Sequence, residues 1–225
     1  ISREHPTIAS KIIDVCEDRG DCFAIVDPVK HDATLTQVTG EAGGRDSNFA
    51  AMYWPWVKVP DSLVPGVQRW VPPSVVLGGI YAFNDKVAHP WFAPAGLNRG
   101  GIDVAIQAEK KLTQNDRDTL YDNNVNPIAT FPGQGVTVFG QKTLQKKSSA
   151  LDRINVRRLL IRVKKFVASS SRFLVFEQNT AATRRRFLGI VNPFLEQVQS
   201  QSGLSAFRVV MDETNNTPDT IDRNQ

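Results

Sequence analysis

Apolar positions along the chain change period several times, and each change marks an element. Ile8, Ile12, Val15 and Cys16 recur at helical spacing after Pro6 and before Gly20, which predicts a helix over 6–19 closed by a left-handed glycine. Cys22, Phe23, Ala24, Ile25 and Val26 then form a short continuous apolar run ended by Asp27 and Pro28. Such a run predicts a strand buried on both faces and central in its sheet. Residues 31–47 are polar and rich in Gly and Thr, and predict a long exposed loop before the aromatic segment 49–59. Pro72, Pro73 and Ser74 open an apolar helix over 75–83, expected to be buried all round, with Gly78 and Gly79 open to close backbone approach.

Farther along, Leu112-Thr113-Gln114-Asn115-Asp116 reads as a helix start with a capping side chain, and 125–130 and 136–139 read as strands joined by a hairpin through Pro132-Gly133-Gln134-Gly135. Val156, Leu159, Leu160, Val163, Phe166 and Val167 stripe one side of a helix. Its other side carries Arg153, Arg157, Arg158, Arg162, Lys164 and Lys165. A strand over 172–177 follows, then a helix capped by Asn179 or Thr180 that contains Pro193 and ends at Gly203. A final strand over 206–211 leads to a polar tail, 212–225. Helices alternating with buried strands give the fold class α/β, a mixed β-sheet flanked by helices in a single large domain.

Composition narrows the function. With 225 residues, 41% hydrophobic and 22% charged, the chain has the usage of a globular protein with a sizeable core. No apolar run approaches the ~20 residues of a membrane span, and the first residues lack the order of a signal peptide. A start at Ile1 a few positions before a helix signal points to a piece of a longer chain. The two cysteines, Cys16 and Cys22, read as buried free thiols. Together with His5, His31 and His89 at scattered positions they make no zinc set, so no metal is expected. A net charge of +4 is modest for a dedicated nucleic-acid binder.

Local chemistry adds no enzyme. The glycines of 131–135 precede a strand, where a phosphate loop needs a helix, and no Gly-x-Ser-x-Gly is present. No catalytic residues and no cofactor are expected. Arg184-Arg185-Arg186 and Lys164-Lys165 are basic enough for phosphate backbones, and Trp54-Pro55-Trp56 and His89-Pro90-Trp91-Phe92 could stack on bases. Solvated faces, protein interfaces and turn packing explain these groups better. An α/β cofactor-binding enzyme and a nucleic-acid-binding module are the alternative functions.

A collinear set of motifs points elsewhere. Trp91-Phe92-Ala93-Pro94-Ala95-Gly96-Leu97-Asn98-Arg99-Gly100 resembles the Pro-Ala-Gly-x-x-Arg-Gly segment of contractile bacteriophage (myovirus) tail sheath proteins. Arg69-Trp70-Val71-Pro72, Arg117-Asp118-Thr119-Leu120-Tyr121, Val125-Asn126-Pro127-Ile128 and Asp152-Arg153-Ile154-Asn155-Val156-Arg157-Arg158-Leu159 are similar to other segments of that family, in order. Asp212-Glu213-Thr214-Asn215-Asn216-Thr217-Pro218 and Ile221-Asp222-Arg223-Asn224 resemble its large-myovirus branch. The resemblance covers nearly the whole chain and corresponds to the C-terminal part of such a protein.

It implies a structural subunit, not an enzyme, in stacked hexameric rings around a tail tube, contracting to drive the tube through the host envelope. The implied partners are other sheath copies, the tail tube protein, and baseplate and tail terminator proteins, with no nucleic acid and no membrane insertion. The implied location is the virion tail, with assembly in the host cytoplasm. In the family a terminal linking strand follows the segment matched by 212–225. Arg184, Arg185 and Arg186, then Lys164 and Lys165, are the candidate tube or subunit interface.

Overall fold

The computed structural model describes residues 5–222, so what the sequence implied for 1–4 and 223–225 lies outside the described residues. The chain divides into two compact units, 1–161 and 162–225.

In the first unit, helix α1 (Pro6–Arg19) ends as expected: Gly20 is left-handed at φ 63° and donates its N–H to the Cys16 carbonyl at 2.9 Å. Ala9, Ile13 and Cys16 form its buried stripe, while Ile12 and Val15 face outward. The main sheet has the order β1 (Ala24–Val26), β2 (Ala50–Trp54), β6 (Val125–Phe131), β7 (Gly135–Val138). β1, β2 and β6 run parallel, and β7 closes an antiparallel hairpin on β6. A small antiparallel sheet, in the order β4 (Gln68–Val71), β3 (Val57–Pro60), β5 (Gln107–Ala108), follows the cis Trp54–Pro55 bond.

The strand expected at the sheet centre is at its edge. β1 pairs only with β2, and Ile25 is half-buried; the central strand is β2, every residue of which is buried. An apolar run signals burial, and only pairing decides position. β2 separates two cores. Ala50, Met52 and Trp54 point toward α1, α2 (Leu35–Gly43) and α4 (Gln114–Asp122), whereas Ala51 and Tyr53 point toward α3 (Pro73–Val87), the small sheet and Ile154. Ile154 opens α5 (Ile154–Ser170), within which the two units divide.

Two further expectations fail in this unit. Residues 31–47 hold helix α2 rather than a loop throughout: Thr34 and Gln37 form a capping box, and Val38 and Ala42 are buried. Helix α3 is not buried all round, because Val76, Leu77, Ile80 and Asn84 make one inward stripe while Val75, Phe83 and Val87 are exposed. Gly78 and Gly79 lie on the exposed side, with nothing within 4 Å of an added Cβ.

In the second unit, α6 (Ala181–Ser200) is capped by the Thr180 hydroxyl and continues through Pro193. Phe187, Val191 and Leu195 are its buried stripe, and Phe166 stacks on Phe194 with ring centroids 3.8 Å apart. Neither expected strand forms. Residues 172–174 make a 3-10 turn, Phe176 takes φ 71° fully exposed, and 206–211 holds no regular element and joins no ladder. Period-two pattern makes a segment fit for a strand, but a ladder needs a partner, and none of the described strands pairs here. A short helix, α7 (Pro218–Asp222), lies within the polar tail.

Candidate interface surfaces

The motif residues are engaged in building the first unit. Asn126 is fully buried on β6; its Nδ2 donates to the carbonyls of Met52 (3.1 Å) and Lys142 (2.8 Å), and its Oδ1 accepts the Lys142 N–H at 2.6 Å. Gly96 has φ 83°, and Gly100 is packed so closely that a Cβ would lie 2.6 Å from the Val138 carbonyl oxygen. Arg99 donates through Nε to the Ala93 carbonyl at 3.2 Å and lies over Phe92.

The basic side of α5 divides. Arg157 is buried, with its guanidinium 4.0 Å from the Phe49 ring centroid and Nη2 donating to Asn48 Oδ1. Burial holds its pKa below the usual guanidinium value. Arg158 Nη2 donates to both Asp85 oxygens at 2.8 and 2.7 Å and covers Tyr81, whose hydroxyl meets that of Tyr53 at 2.7 Å. Asn155 Nδ2 donates to the Trp91 carbonyl at 3.1 Å. These two arginines therefore stitch the first unit together, whereas Lys164 and Lys165 are exposed.

The triplet on α6 also divides. Arg184 is half-buried and donates to Asn179 Oδ1 at 2.9 Å, and Arg186 lies 4.7 Å over the Phe173 ring. Arg185 is exposed, and no hydrogen bond or ion pair is seen for it among the described residues. Positive charge is concentrated here: 162–211 holds eight Lys and Arg against Glu177 and Glu196, in a chain of net charge +4.

Trp54 and Trp56 are buried, at 3% and 2% exposure, and so present no stacking face for bases. His89 stacks on Trp91 at 4.5 Å, and the 131–135 glycines form the β6–β7 turn. Cys16 and Cys22 are free thiols, Cys22 being only partly buried, and burial together with the Cys22 contact pushes the Cys16 thiol up to about 12.

One cluster was not foreseen. Glu109, whose side chain is 2% exposed, accepts the N–H groups of Asp32 and of Trp56 (3.2 Å), and its Oε1 lies 3.7 Å from His31 Nε2. His31 Nδ1 is 3.3 Å from Asp32 Oδ2, and the ring is flanked by Trp56 and Trp70. No spacing in sequence could announce this, since 77 positions separate Asp32 from Glu109.

Residues 5–144 match the phage tail sheath protein central domain, and 146–225 match the phage tail sheath C-terminal domain. The chain belongs to the phage tail sheath family, a structural class and not an enzyme class. It is 32% identical over 240 residues to the tail sheath protein of Enterobacteria phage T4, covering 97% of this chain and 36% of that one. It is 41% identical over 157 residues to the tail sheath protein of Vibrio phage KVP40, covering 70% of this chain and 23% of that one. The chain thus spans about a third or less of these relatives. Among solved structures, the PVC sheath complex of an extracellular contractile injection system, in its contracted state, is similar with a TM-score of 0.80 and 25% identity. That likeness covers 96% of this chain and 61% of the other.

Proposed function

We propose that the chain is part of a structural subunit that assembles as stacked hexameric rings around a tail tube in a virion tail and contracts to drive the tube into the host envelope. The observation carrying this reading is the match of 5–144 and 146–225, nearly end to end, to the two sheath domains, with a contracted sheath at TM-score 0.80. The partners are further sheath copies, the tube protein, and baseplate and terminator proteins; a similar structure is the baseplate of the anti-feeding prophage. Assembly takes place in the host cytoplasm.

The segment 206–211 supports strand exchange between copies. It keeps alternating Phe207 and Val209 against the second core while forming no ladder. A segment with alternating apolar residues and no ladder of its own is free to pair with a neighbour's strand.

Grip on an acidic tube falls to the basic groups of the second unit. Arg185 and Lys165 are the foremost of the set Arg184, Arg185, Arg186, Lys164 and Lys165, because both are exposed and have no ion pair among the described residues. Exposed ion pairs contribute ~0.2–1 kcal/mol each, weak enough to release on contraction and strong when repeated around every ring. The test is Arg185→Glu with Lys165→Glu in the full-length protein, viewed by negative-stain microscopy with and without tubes. Loss of tube decoration with a normal circular dichroism spectrum supports the grip. Normal decoration with unchanged salt sensitivity removes it.

A further inference from the structure

We propose that His31, Asp32 and Glu109 form a binding site for a divalent ion of the zinc class, tying the segment before α2 to the small sheet. One donor atom from each residue lies within 4.8 Å of the others. The set unites an imidazole with two carboxylates, which suits zinc better than magnesium or calcium, whose sites are built from oxygen alone.

Two observations separate this cluster from an ordinary surface group of acids. His31 Nε2 is buried and has no hydrogen-bond partner among the described residues, and it faces Glu109 Oε1 across 3.7 Å, too wide for a hydrogen bond. A tetrahedral ion with bonds near 2.0–2.1 Å holds its ligands ~3.4 Å apart, so this pair needs to close by only a few tenths of an ångström. The Glu109 carboxylate, almost wholly buried, receives two backbone N–H groups and, among the described residues, no Lys or Arg. Those N–H bonds fix its orientation, as outer contacts do for metal-ligating carboxylates.

Asp32 completes the set. Its left-handed backbone (φ 63°) places it beside His31 Nδ1, while its 71% exposed side chain has room to turn toward the ion or to hold the imidazole in place. An open cleft of about 590 Å³, lined in part by His31 and Asp32, gives an ion access. Lys110 Nζ lies 3.0 Å from Asp32 Oδ1 and supplies positive charge where the ion would, so it is a competitor.

The test is a calorimetric titration of ZnCl₂ into tag-free, chelator-stripped protein, with MgCl₂ as the control. One zinc per chain with micromolar affinity and no magnesium binding is expected. His31→Ala should weaken zinc by about ten-fold or more, the scale of losing a ligand's support. Lys110→Met should strengthen it several-fold, because the competing ammonium beside Asp32 is removed. If His31→Ala does not fold, Asp32→Ala, altering an exposed side chain, gives the same reading. Absence of saturable zinc binding up to millimolar concentration overturns the site. So does zinc binding that His31→Ala and Asp32→Ala leave unchanged, which would place the ion elsewhere, for example on the Cys16 and Cys22 thiols.

Discussion

Asn126 and Lys142 are joined by two hydrogen bonds, side chain to backbone in both directions, at 2.8 and 2.6 Å. The same amide holds Met52 on the neighbouring strand at 3.1 Å, so one side chain joins β6, β2 and the chain after β7. Asn126→Ala would leave buried backbone groups unpaired on both sides, and such groups cost ~1–3 kcal/mol each. An expected loss of about 3 kcal/mol, read by urea denaturation, tests this. A loss below about 1 kcal/mol would mean that water replaces the amide.

Gly100 is a second fixed point. Its N–H donates to the Gly96 carbonyl at 2.7 Å, and an added Cβ would meet backbone atoms of Val138, Gly96 and Ala95 at 2.6–2.9 Å. Backbone on every side cannot yield as a flexible side chain does. Gly100→Ala should therefore destabilise by about 3 kcal/mol or more, whereas Gly78→Ala, in open helix, should be neutral or stabilising by up to ~1 kcal/mol. Thermal melts of the two variants make the comparison.

What was legible in the sequence was local. The Gly20 end of α1, the helix start within 112–116 and the β6–β7 hairpin each depend on residues a few positions apart and formed where expected, and of the two caps open to α6, Asn179 and Thr180, the structure uses Thr180. Helix α2 was missed although its capping box was present, because only Val38 and Ala42 of its nine residues are buried and its glycines dominate the pattern. Arg157 and Lys165 look alike on a helical wheel. They differ because Asn48, 109 positions away from Arg157, and Phe49 receive one of them. Sequence patterns name basic faces; tertiary partners decide which charges remain for an interface.

Asp27 gives a pH dependence. Burial pushes its carboxyl above the ordinary carboxylate range, only partly offset by hydrogen bonding from the Ser74 side chain and from its N–H at 3.2 Å. Between its ordinary and raised values the native state binds more protons than the unfolded chain, so stability falls as pH rises through that window. Asp27→Asn, which keeps an acceptor for Ser74, should raise the melting temperature at neutral pH. The gain should vanish below about pH 3, where the unfolded carboxyl is protonated too. An equal gain at every pH would assign the effect to packing.

The end of α6 offers a stabilising change. The Gly203 N–H donates to the Val198 carbonyl at 2.8 Å and the Ser202 N–H to that of Gln199 at 3.0 Å, the two bonds of a Schellman cap. In that motif the left-handed position comes one residue before the longer bond's donor, and here it is Ser202, at φ 62°. The sequence pointed to Gly203 as the stop, but the glycine stands one place beyond the position that needs it. A left-handed conformation costs a side-chain-bearing residue ~1–2 kcal/mol, and glycine's added freedom in the unfolded chain returns ~0.4–1 kcal/mol of that. Ser202 is exposed, so no packing is lost on replacement. Ser202→Gly should therefore stabilise by about 0.5–1 kcal/mol, while Gly203→Ala, one residue on, should not reproduce the gain. Chemical denaturation of both variants measures the difference, and a destabilised Ser202→Gly would show that the cap opens in solution.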